Sequence, residues 1–347
     1  MKISVVILNW NGEELLKKFL PTVLKHTQSD DCEIVVADNH SSDNSVKMLK
    51  NDFSSVRLIL LDQNYGFAEG YNRALQEITA KYVVLLNSDI ETTPNWLQPL
   101  IDHLENNPDT AAVQPKVLSY TDKSMFEYAG AAGGFIDRYG YPFCRGRVLN
   151  VLEKDSGQYD NIEQIFWATG ACLCMRHLDY TKEGGLDGDF FAHMEEIDLC
   201  WRLQSRSRKI FCVPQSTVYH VGGASLDNES PRKTYLNFRN NLLMIYKNAS
   251  RKRLIRIFLV RIVLDGAALL HFMMFGKFKH AQTVINAYSD FIKMKPSFKH
   301  KRKENIMKTT HIGIKQQYKG SILFDYYLLQ KKTFSSIFSK STNRTVY

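Results

Sequence analysis

The stretch Lys81-Tyr-Val-Val-Leu-Leu-Asn-Ser-Asp-Ile-Glu91 sets the architecture of this chain. Its apolar and aromatic residues run without interruption into the polar triplet 87–89, as in a strand that is buried on both faces. Open α/β sheets bind ligands at the carboxyl ends of such strands, so Asp89 is placed to hold an anionic ligand through a metal. On these residues alone, an Asx turn that closes the strand is an equal alternative.

Earlier segments repeat the same order of strand, polar loop and helix. Residues 3–8, 33–38 and 56–61 are short apolar runs, and apolar residues at helical spacing follow each polar loop. This alternation predicts an α/β fold with a mostly parallel central sheet whose polar loops gather on one edge. A dinucleotide-binding Rossmann domain is rejected, because the first loop, 9–12, lacks the GxGxxG turn.

Composition bounds the rest of the chain. With 347 residues and 44% hydrophobic content, it can bury one large core, or one core with an appendage. Residues 120–157 are rich in glycine and aromatic residues and are expected to form loops and short strands over the sheet edge. The six cysteines lack paired spacing, and the first strand is too short for a signal sequence, so reduced thiols in the cytoplasm are expected.

The part of the chain after residue 250 is dense in lysine and arginine and is expected to meet an anionic surface. Residues 257–275 are apolar but carry Arg261, Asp265 and His271, and charges at the centre of a bilayer are costly. We therefore predict an interfacial helix that is drawn to anionic lipid, with a helix packed on the core as the alternative.

Taken in order, the motifs resemble those of the inverting family 2 glycosyltransferases of GT-A fold, among them bacterial rhamnosyltransferases that build cell-surface polysaccharide. The resemblance covers about residues 1–245. It rests on Val5-Val-Ile-Leu-Asn-Trp-Asn-Gly12, Val36-Ala-Asp-Asn39 with Ser41-Ser42-Asp43, Asn64-Tyr-Gly-Phe67 to Asn72, Leu85-Leu-Asn-Ser-Asp89, Gly170-Ala171, Met194-Glu-Glu-Ile-Asp-Leu-Cys-Trp-Arg202 and His220.

The resemblance implies a division of the chain and an activity. A GT-A catalytic domain is expected over 1–230, with a nucleotide-binding part over 1–110 and an acceptor part over 111–230. From its apolar and basic composition, the rest of the chain is expected to form a helical, membrane-associating extension over 231–295 and a basic tail over 296–347. The implied reaction is inverting transfer of a hexosyl or deoxyhexosyl group from a UDP-, dTDP- or GDP-linked sugar to a saccharide or lipid-linked saccharide.

The implied donor site uses a divalent metal, because the departing nucleoside diphosphate carries two phosphates. Mg²⁺ or Mn²⁺ is expected, with Asp89 as the charged ligand, since Asn87 stands where the family has its first Asp. His220 is either a further metal ligand or a structural residue at a strand end. Asp43 is expected to cap the next helix. The nucleotide-sugar is expected to contact Asn9, Asn11, Asp38, Asn64, Gly66, Asn72, Asn87 and Asp89.

Single displacement requires one base to take the proton of the acceptor hydroxyl. By position in the family motif Glu196 is the base and Glu195 the second choice, although the family has Asp where this chain has Glu196. Asp198 and Arg202 lie four residues apart on a predicted helix and are expected to form a structural pair.

The acceptor is expected at Trp167, Gly170 and Ala171, where the indole either stacks on a sugar or lies in the core. The Gln-x-x-Arg-Trp signature of processive members does not follow His220, which favours addition of one or a few sugars. The expected location is the cytoplasm, peripheral on the inner face of the cell membrane, with no nucleic-acid partner.

Three other functional classes can be compared with these residues. A sugar nucleotidyltransferase usually has a glycine-rich first loop with basic residues, and loop 9–12 supplies neither. A glycosidase would need two carboxylates that flank a bond in an open cleft, but not four nucleotide-facing loops. A non-catalytic, membrane-bound carbohydrate-binding protein remains an alternative.

Overall fold

The structure is a computed structural model in which residues 2–222, 230–311 and 313–338 are described. The end of the predicted basic tail, residues 339–347, lies outside the described residues. All six cysteines are free thiols, as predicted.

The first part of the chain alternates strands and helices as predicted. Its elements are β1 (Ile3–Asn9), α1 (Glu13–His26), β2 (Cys32–Asp38), α2 (Ser45–Asp52), β3 (Arg57–Leu60), α3 (Gly66–Gln76) and β4 (Tyr82–Asn87). The middle part consists of β5 (Ile90–Thr92), α4 (Gln98–Asn106), β6 (Thr110–Ser119), β7 (Gly134–Asp137), β8 (Pro142–Cys144), β9 (Arg147–Val148), β10 (Val151–Leu152), β11 (Glu163–Gln164), β12 (Cys172–Arg176), α5 (His177–Lys182), a 3₁₀ turn (Gly188–Phe190), α6 (Glu195–Ser205) and β13 (Lys209–His220).

The C-terminal part is mainly helical. It contains α7 (Pro231–Asn248), α8 (Arg251–Met274), α9 (Phe278–Lys308), β14 (Gln317–Tyr318), α10 (Ile322–Tyr327) and α11 (Phe334–Ile337).

The central sheet has the order β11-β13-β6-β12-β4-β1-β2-β3, and β5 pairs with β13. Strand β1 is parallel to β2 and β4, and β3 is parallel to β2, so their carboxyl ends share one edge. Strand β12 lies antiparallel between β4 and β6, which the sequence did not predict. As a result, the Asn87 amide donates to the Ala171 carbonyl at 2.9 Å, and the predicted donor and acceptor segments meet.

A second, smaller sheet has the order β10-β9-β8-β7-β14 and joins the middle of the chain to its end. The predicted short strands over 120–157 are therefore present. The predicted basic tail differs from the structure: residues 296–308 are the last turns of α9, and β14 pairs with β7. The physical reason is apolar burial, since Phe298, Tyr318 and Ile337 have at most 1% of their surface exposed.

Helix α8 is polar on the side that faces the protein and apolar on the side that faces outward. Its buried residues Ile257, Arg261 and Asp265 are four apart and share one face. The Arg261 guanidinium pairs with the Asp265 carboxylate at 3.0 Å, while Leu259 and Val263 are 62% and 70% exposed. These two charges would therefore not face lipid. They are then only a weak argument against insertion of α8 into a membrane.

By length and composition alone, α8 is long and apolar enough to cross a membrane, and no other helix of the described residues is. This is weak evidence of a span, because core helices can pass the same test. The helix combines features of both predicted alternatives: one face packs on the core and the other is apolar and open.

Candidate active site

The ends of β1 and β2 form a polar network at the shared edge of the sheet, in which Asn9 Oδ1 is buried and has no hydrogen-bond partner among the described residues. The Asp38 carboxylate accepts hydrogen bonds from Asn9 Nδ2 at 3.0 Å and from the Ser41 hydroxyl at 2.6 Å. The Asn11 side chain accepts from the Ser42 amide at 2.7 Å. These predicted nucleotide-site residues are thus brought together, and their observed bonds hold the two loops in place.

Asp43 ties together the starts of two helices. Its carboxylate accepts from the Glu13 amide at the start of α1 and from the Ser45 amide at the start of α2, both at 3.0 Å. The predicted helix-capping role of Asp43 is confirmed, and the carboxylate is also favourably placed at two positive helix ends.

The third loop directs its polar groups at the protein. Asn64 Oδ1 accepts from the Gly66 amide at 2.9 Å. At Gly66, φ is +73° and a Cβ would lie 2.5 Å from the Phe191 ring. The absence of a side chain at Gly66 therefore makes room for Phe191. The Asn72 carboxamide accepts from the Tyr180 hydroxyl and bonds both backbone groups of Leu186. A nucleotide contact through Asn72 is disfavoured, because these bonds occupy its carboxamide.

A buried chain of charged groups begins at Asp89. Its Oδ1 lies 3.1 Å from His220 Nε2, and its Oδ2 accepts from the Gly222 amide at 3.2 Å. The other imidazole nitrogen of His220, Nδ1, lies 3.2 Å from the Glu127 carboxylate. Burial disfavours the charged imidazole, but contacts with Asp89 and Glu127 outweigh it and raise the pKa of His220 to about 10.

Helix α6 carries Glu195 and Glu196 in its first turn, and a strained segment leads into it. Phe191, His193 and Met194 have positive φ values of 65°, 70° and 74°. This backbone conformation costs about 1–3 kcal/mol for each residue that is not glycine. The Asn240 side-chain amide holds this segment by donating to the carbonyls of residues 190, 192 and 193 at 2.8–2.9 Å. Such strain is typical of functional sites.

The two glutamates are unusual carboxylates. Each has one oxygen, Oε2, that is buried and has no hydrogen-bond partner among the described residues. Burial raises the pKa of Glu196 to about 7. Burial and the neighbouring Glu196 charge raise the pKa of Glu195 well above its usual range. Glu196 lies beside the predicted acceptor segment, because a Cβ at Gly170 would lie 3.9 Å from Glu196 Cβ. A carboxylate with a raised pKa in this position fits a general base.

The chain is similar to known glycosyltransferases. Residues 4–145 match the profile described as Glycosyl transferase family 2. This part of the chain is similar to that family. Together with the named transferases among its relatives, the match identifies a glycosyltransferase. Rhamnosyltransferase WbbL of Escherichia coli is 24% identical over 262 residues, which cover 73% of this chain and 94% of WbbL. O-antigen biosynthesis protein RfbC of Myxococcus xanthus is 23% identical over 227 residues, which cover 65% of this chain but only 18% of RfbC.

Solved structures establish the fold of this glycosyltransferase. GalNAc-T7 with UDP, GalNAc and Mn²⁺ has a TM-score of 0.55 at 16% identity, covering 71% of this chain and 48% of that one. S. aureus TarS 1-349 with UDP has a TM-score of 0.54 at 16% identity, covering 89% of each chain. The predicted GT-A fold is confirmed.

The donor set at Asp89 suits a divalent metal in this glycosyltransferase. A carboxylate and an imidazole nitrogen face each other at 3.1 Å, and Glu127 lies against the far side of the imidazole, as carboxylates do behind metal-bound histidines. To ligate a metal, His220 would have to release its Nε2 proton, because only the neutral imidazole is a ligand. Within the described ranges, no group of three or more His, Cys, Asp or Glu side chains could hold a metal. Asp89 and His220 would therefore need further oxygen ligands from the donor diphosphate and from water.

The structure distinguishes the roles predicted for the acceptor segment. Trp167 is 4% exposed, and its indole donates to the Phe135 carbonyl at 2.9 Å. The core alternative for Trp167 is therefore favoured, because its ring has no open face for a sugar. Gly170 and Ala171 lie beside Glu196 and Asn87, where an acceptor would have to approach.

Asp198 and Arg202 form the predicted structural pair, with Arg202 Nε 2.9 Å from Asp198 Oδ2. Two further residues of the candidate site, Glu127 and Asn240, could not be predicted from the sequence. Glu127 lies in an irregular loop and Asn240 within a helix of ordinary polar composition, so local patterns gave no signal for either. Only their contacts with His220 and with the segment before α6 reveal them.

The raised pKa of Glu196 predicts a pH dependence. A base must be ionised to accept a proton, so kcat/KM should rise with pH and level off above a midpoint of about 7. The measurement is kcat/KM for diphosphate release with acceptor between pH 5.5 and 9, where roughly tenfold per pH unit is expected below the midpoint. A profile that is flat or falls between pH 6 and 8 would exclude Glu196 as the base.

Proposed function

We propose that this chain is an inverting, metal-dependent glycosyltransferase that moves a sugar from a nucleotide-sugar donor to a saccharide or lipid-linked saccharide acceptor in cell-surface polysaccharide synthesis. The observation that carries the proposal is the pairing of two sites at one sheet edge. The Asp89–His220 pair suits the diphosphate, and Glu196, with its raised pKa, lies beside the predicted acceptor segment.

The donor is proposed to bind across the ends of β1, β2 and β4. Asn9, Asn11 and Asp38 lie in the network that shapes this edge, and Asn87 lies 3.5 Å from His220 Nε2. Mg²⁺ or Mn²⁺ at Asp89 and His220 would neutralise the developing charge of the nucleoside diphosphate. Support comes from the solved neighbours, of which GalNAc-T7 was solved with UDP and Mn²⁺.

In the transfer step, Glu196 is proposed to take the proton of the acceptor hydroxyl. The oxygen then attacks the anomeric carbon from the side opposite the diphosphate, and the bond to the diphosphate breaks. Gly170 lies next to Glu196, and Asn240 would position the carboxylate through the strained segment before α6.

The acceptor and the location are proposed from the C-terminal helices. The outward face of α8 is apolar, and its first two turns carry the exposed basic residues Arg251, Lys252, Arg253 and Arg256. Basic residues next to an apolar helix face favour binding to anionic lipid. We infer a peripheral site on the inner face of the cell membrane, which suits a lipid-linked acceptor.

Replacing Asp89 with Asn tests the metal assignment. The variant should lose about 10²-fold or more in nucleoside diphosphate release across a panel of UDP-, dTDP- and GDP-sugars, because the charged metal ligand is removed. Mn²⁺ binding in the presence of the nucleoside diphosphate, followed by electron paramagnetic resonance, should weaken in parallel. The control is Asp52→Asn on the exposed surface of α2. Unchanged Mn²⁺ binding in Asp89→Asn would refute the assignment.

A further inference from the structure

A wide groove lies between α8, the β7–β8 hairpin and the C-terminal segment from β14 through α10, with a volume of about 1190 Å³. Among its described lining residues the one carboxylate, Asp265, is already paired with Arg261 at 3.0 Å. The wall is otherwise dominated by apolar side chains, including Leu149, Phe238, Val260, Leu264, Leu323 and Phe324. The groove therefore suits a hydrocarbon chain.

A smaller pocket of about 350 Å³ adjoins the groove and has the opposite character. Arg138, Tyr318 and Lys319 line both cavities, so the two are neighbours that share one wall. The smaller pocket contains four cationic side chains and, among its described lining residues, no carboxylate: Arg138, Arg253, Lys315 and Lys319. Like charges gathered in this way repel each other unless an anion lies among them.

We propose that the groove and the basic pocket together bind the lipid part of a lipid-linked acceptor, with the hydrocarbon chain in the groove and the phosphate or diphosphate among the four cations. The inference rests on the proposed function, which gives the enzyme such an acceptor. Guanidinium and ammonium groups form short, charge-assisted hydrogen bonds with phosphate oxygens. One amphiphilic ligand, with an apolar chain next to its phosphate, would fit the two neighbouring cavities.

The exposed surface around the groove favours a lipid over a protein segment. Phe324, Tyr327 and Leu328 line the groove and are still 46%, 61% and 69% exposed. On the same helix as the groove-lining Leu264, Val263 points outward and is 70% exposed. A chain that leaves the groove would thus continue along apolar surface, and apolar patches of this kind mark membrane or partner contacts.

The groove is connected to the catalytic helix by α7. The Asn241 side chain donates to the Gly140 carbonyl at 2.7 Å, at the tip of the hairpin that lines the groove. Its amide nitrogen also lies 3.8 Å from the sulfur of Met194, the residue before Glu195. A lipid held in the groove would therefore contact α7, and α7 also contacts the residue before α6.

The test uses the full chain with farnesyl diphosphate, inorganic diphosphate and farnesol as probes. Saturating UDP and Mg²⁺ are present throughout to fill the donor site. Binding is followed by calorimetry. Farnesyl diphosphate should bind at least about tenfold more tightly than either fragment, because one molecule engages both cavities.

Two variants separate the cavities. Lys315→Glu with Lys319→Glu reverses two exposed charges in the basic pocket, and Ala268→Trp fills part of the groove. Each should weaken farnesyl diphosphate binding about tenfold or more. The matched controls change exposed residues elsewhere and should bind as the wild type does: Lys299→Glu with Lys303→Glu, and Ile262→Trp.

Several outcomes would overturn the inference. The inference would be wrong if the groove variant and the pocket variant both bound farnesyl diphosphate as tightly as the wild type does. Another such outcome is equal displacement of the probe by phosphatidylglycerol vesicles, which would make the site a general one for anionic lipid. Concentration-dependent dimerisation that Ala268→Trp abolishes would instead make the groove a contact between copies. If the probe binds as expected but no nucleotide-sugar is turned over, the proposed function fails and the lipid site stands.

Discussion

Replacing Glu196 with Gln is expected to lower kcat by about 10²–10⁴-fold, the range over which a positioned general base accelerates a reaction. The amide keeps the size of the side chain but cannot take the proton of the acceptor hydroxyl. Donor binding should be nearly unchanged, because the nucleotide is proposed to bind at Asp89 and at the ends of β1 and β2. The measurement is nucleoside diphosphate release at saturating donor and acceptor, with the donor dissociation constant measured separately.

Two control variants test whether the loss of kcat is specific to Glu196. Glu14→Gln changes an α1 side chain that is 87% exposed and should leave kcat at the wild-type value. Glu195→Gln removes the buried neighbour, whose pKa is raised by burial and by the Glu196 charge. If Glu195→Gln caused the larger loss of kcat, the base would be Glu195 and the assignment of Glu196 would be wrong.

Replacing Lys247 with Met should destabilise the protein by about 3 kcal/mol, the lower end of the usual cost of breaking a buried ion pair, because Lys301 and Arg202 still lie beside the two carboxylates. The Lys247 ammonium lies 2.6 Å from Asp187 and 2.8 Å from Asp198, all three being almost fully buried. Burial opposes ionisation of Asp198, but the charges of Lys247 and Arg202 outweigh it and lower its pKa. Equilibrium unfolding in urea at neutral pH measures the loss.

The pH dependence of this stabilisation follows from the lowered pKa values. Because the folded pKa of each carboxyl lies below its usual 3.8, the stabilisation is present above that pH and is lost as pH falls further. The control is Lys293→Met on α9, whose side chain is 73% exposed. It should change stability by less than about 0.5 kcal/mol. Equal stability of Lys247→Met and the wild type would show that the network does not stabilise the fold.

Much of the fold could be predicted because it is encoded in local periodicity. Each of the first strands is a short apolar run bounded by polar residues, and the helices between them show apolar residues at helical spacing. The pair of Asp198 and Arg202 could be predicted for the same reason, since four residues on a helix bring two side chains together. The antiparallel position of β12 between β4 and β6 could not, because strand order depends on contacts between distant segments.

The site was predicted only in part. Strand ends and family motifs indicated Asp89, His220 and Glu196, and the structure places these residues at the same edge of the sheet as Asp38. The burial of Trp167, by contrast, depends on Gly134, where a Cβ would lie 2.0 Å from the indole ring. No pattern within either segment specifies that contact.

By itself, the sequence was sufficient for the alternating α/β half of the chain, for the carboxylates at its strand ends and for the glycosyltransferase resemblance, because these depend on residues close in the chain. Tertiary structure alone placed Glu127 behind His220 and turned the charges of α8 towards the protein. It also joined β14 to β7 and so brought two walls of the apolar groove together. These features arise from packing between segments about 90 to 180 residues apart, for which neighbouring residues carry no signal.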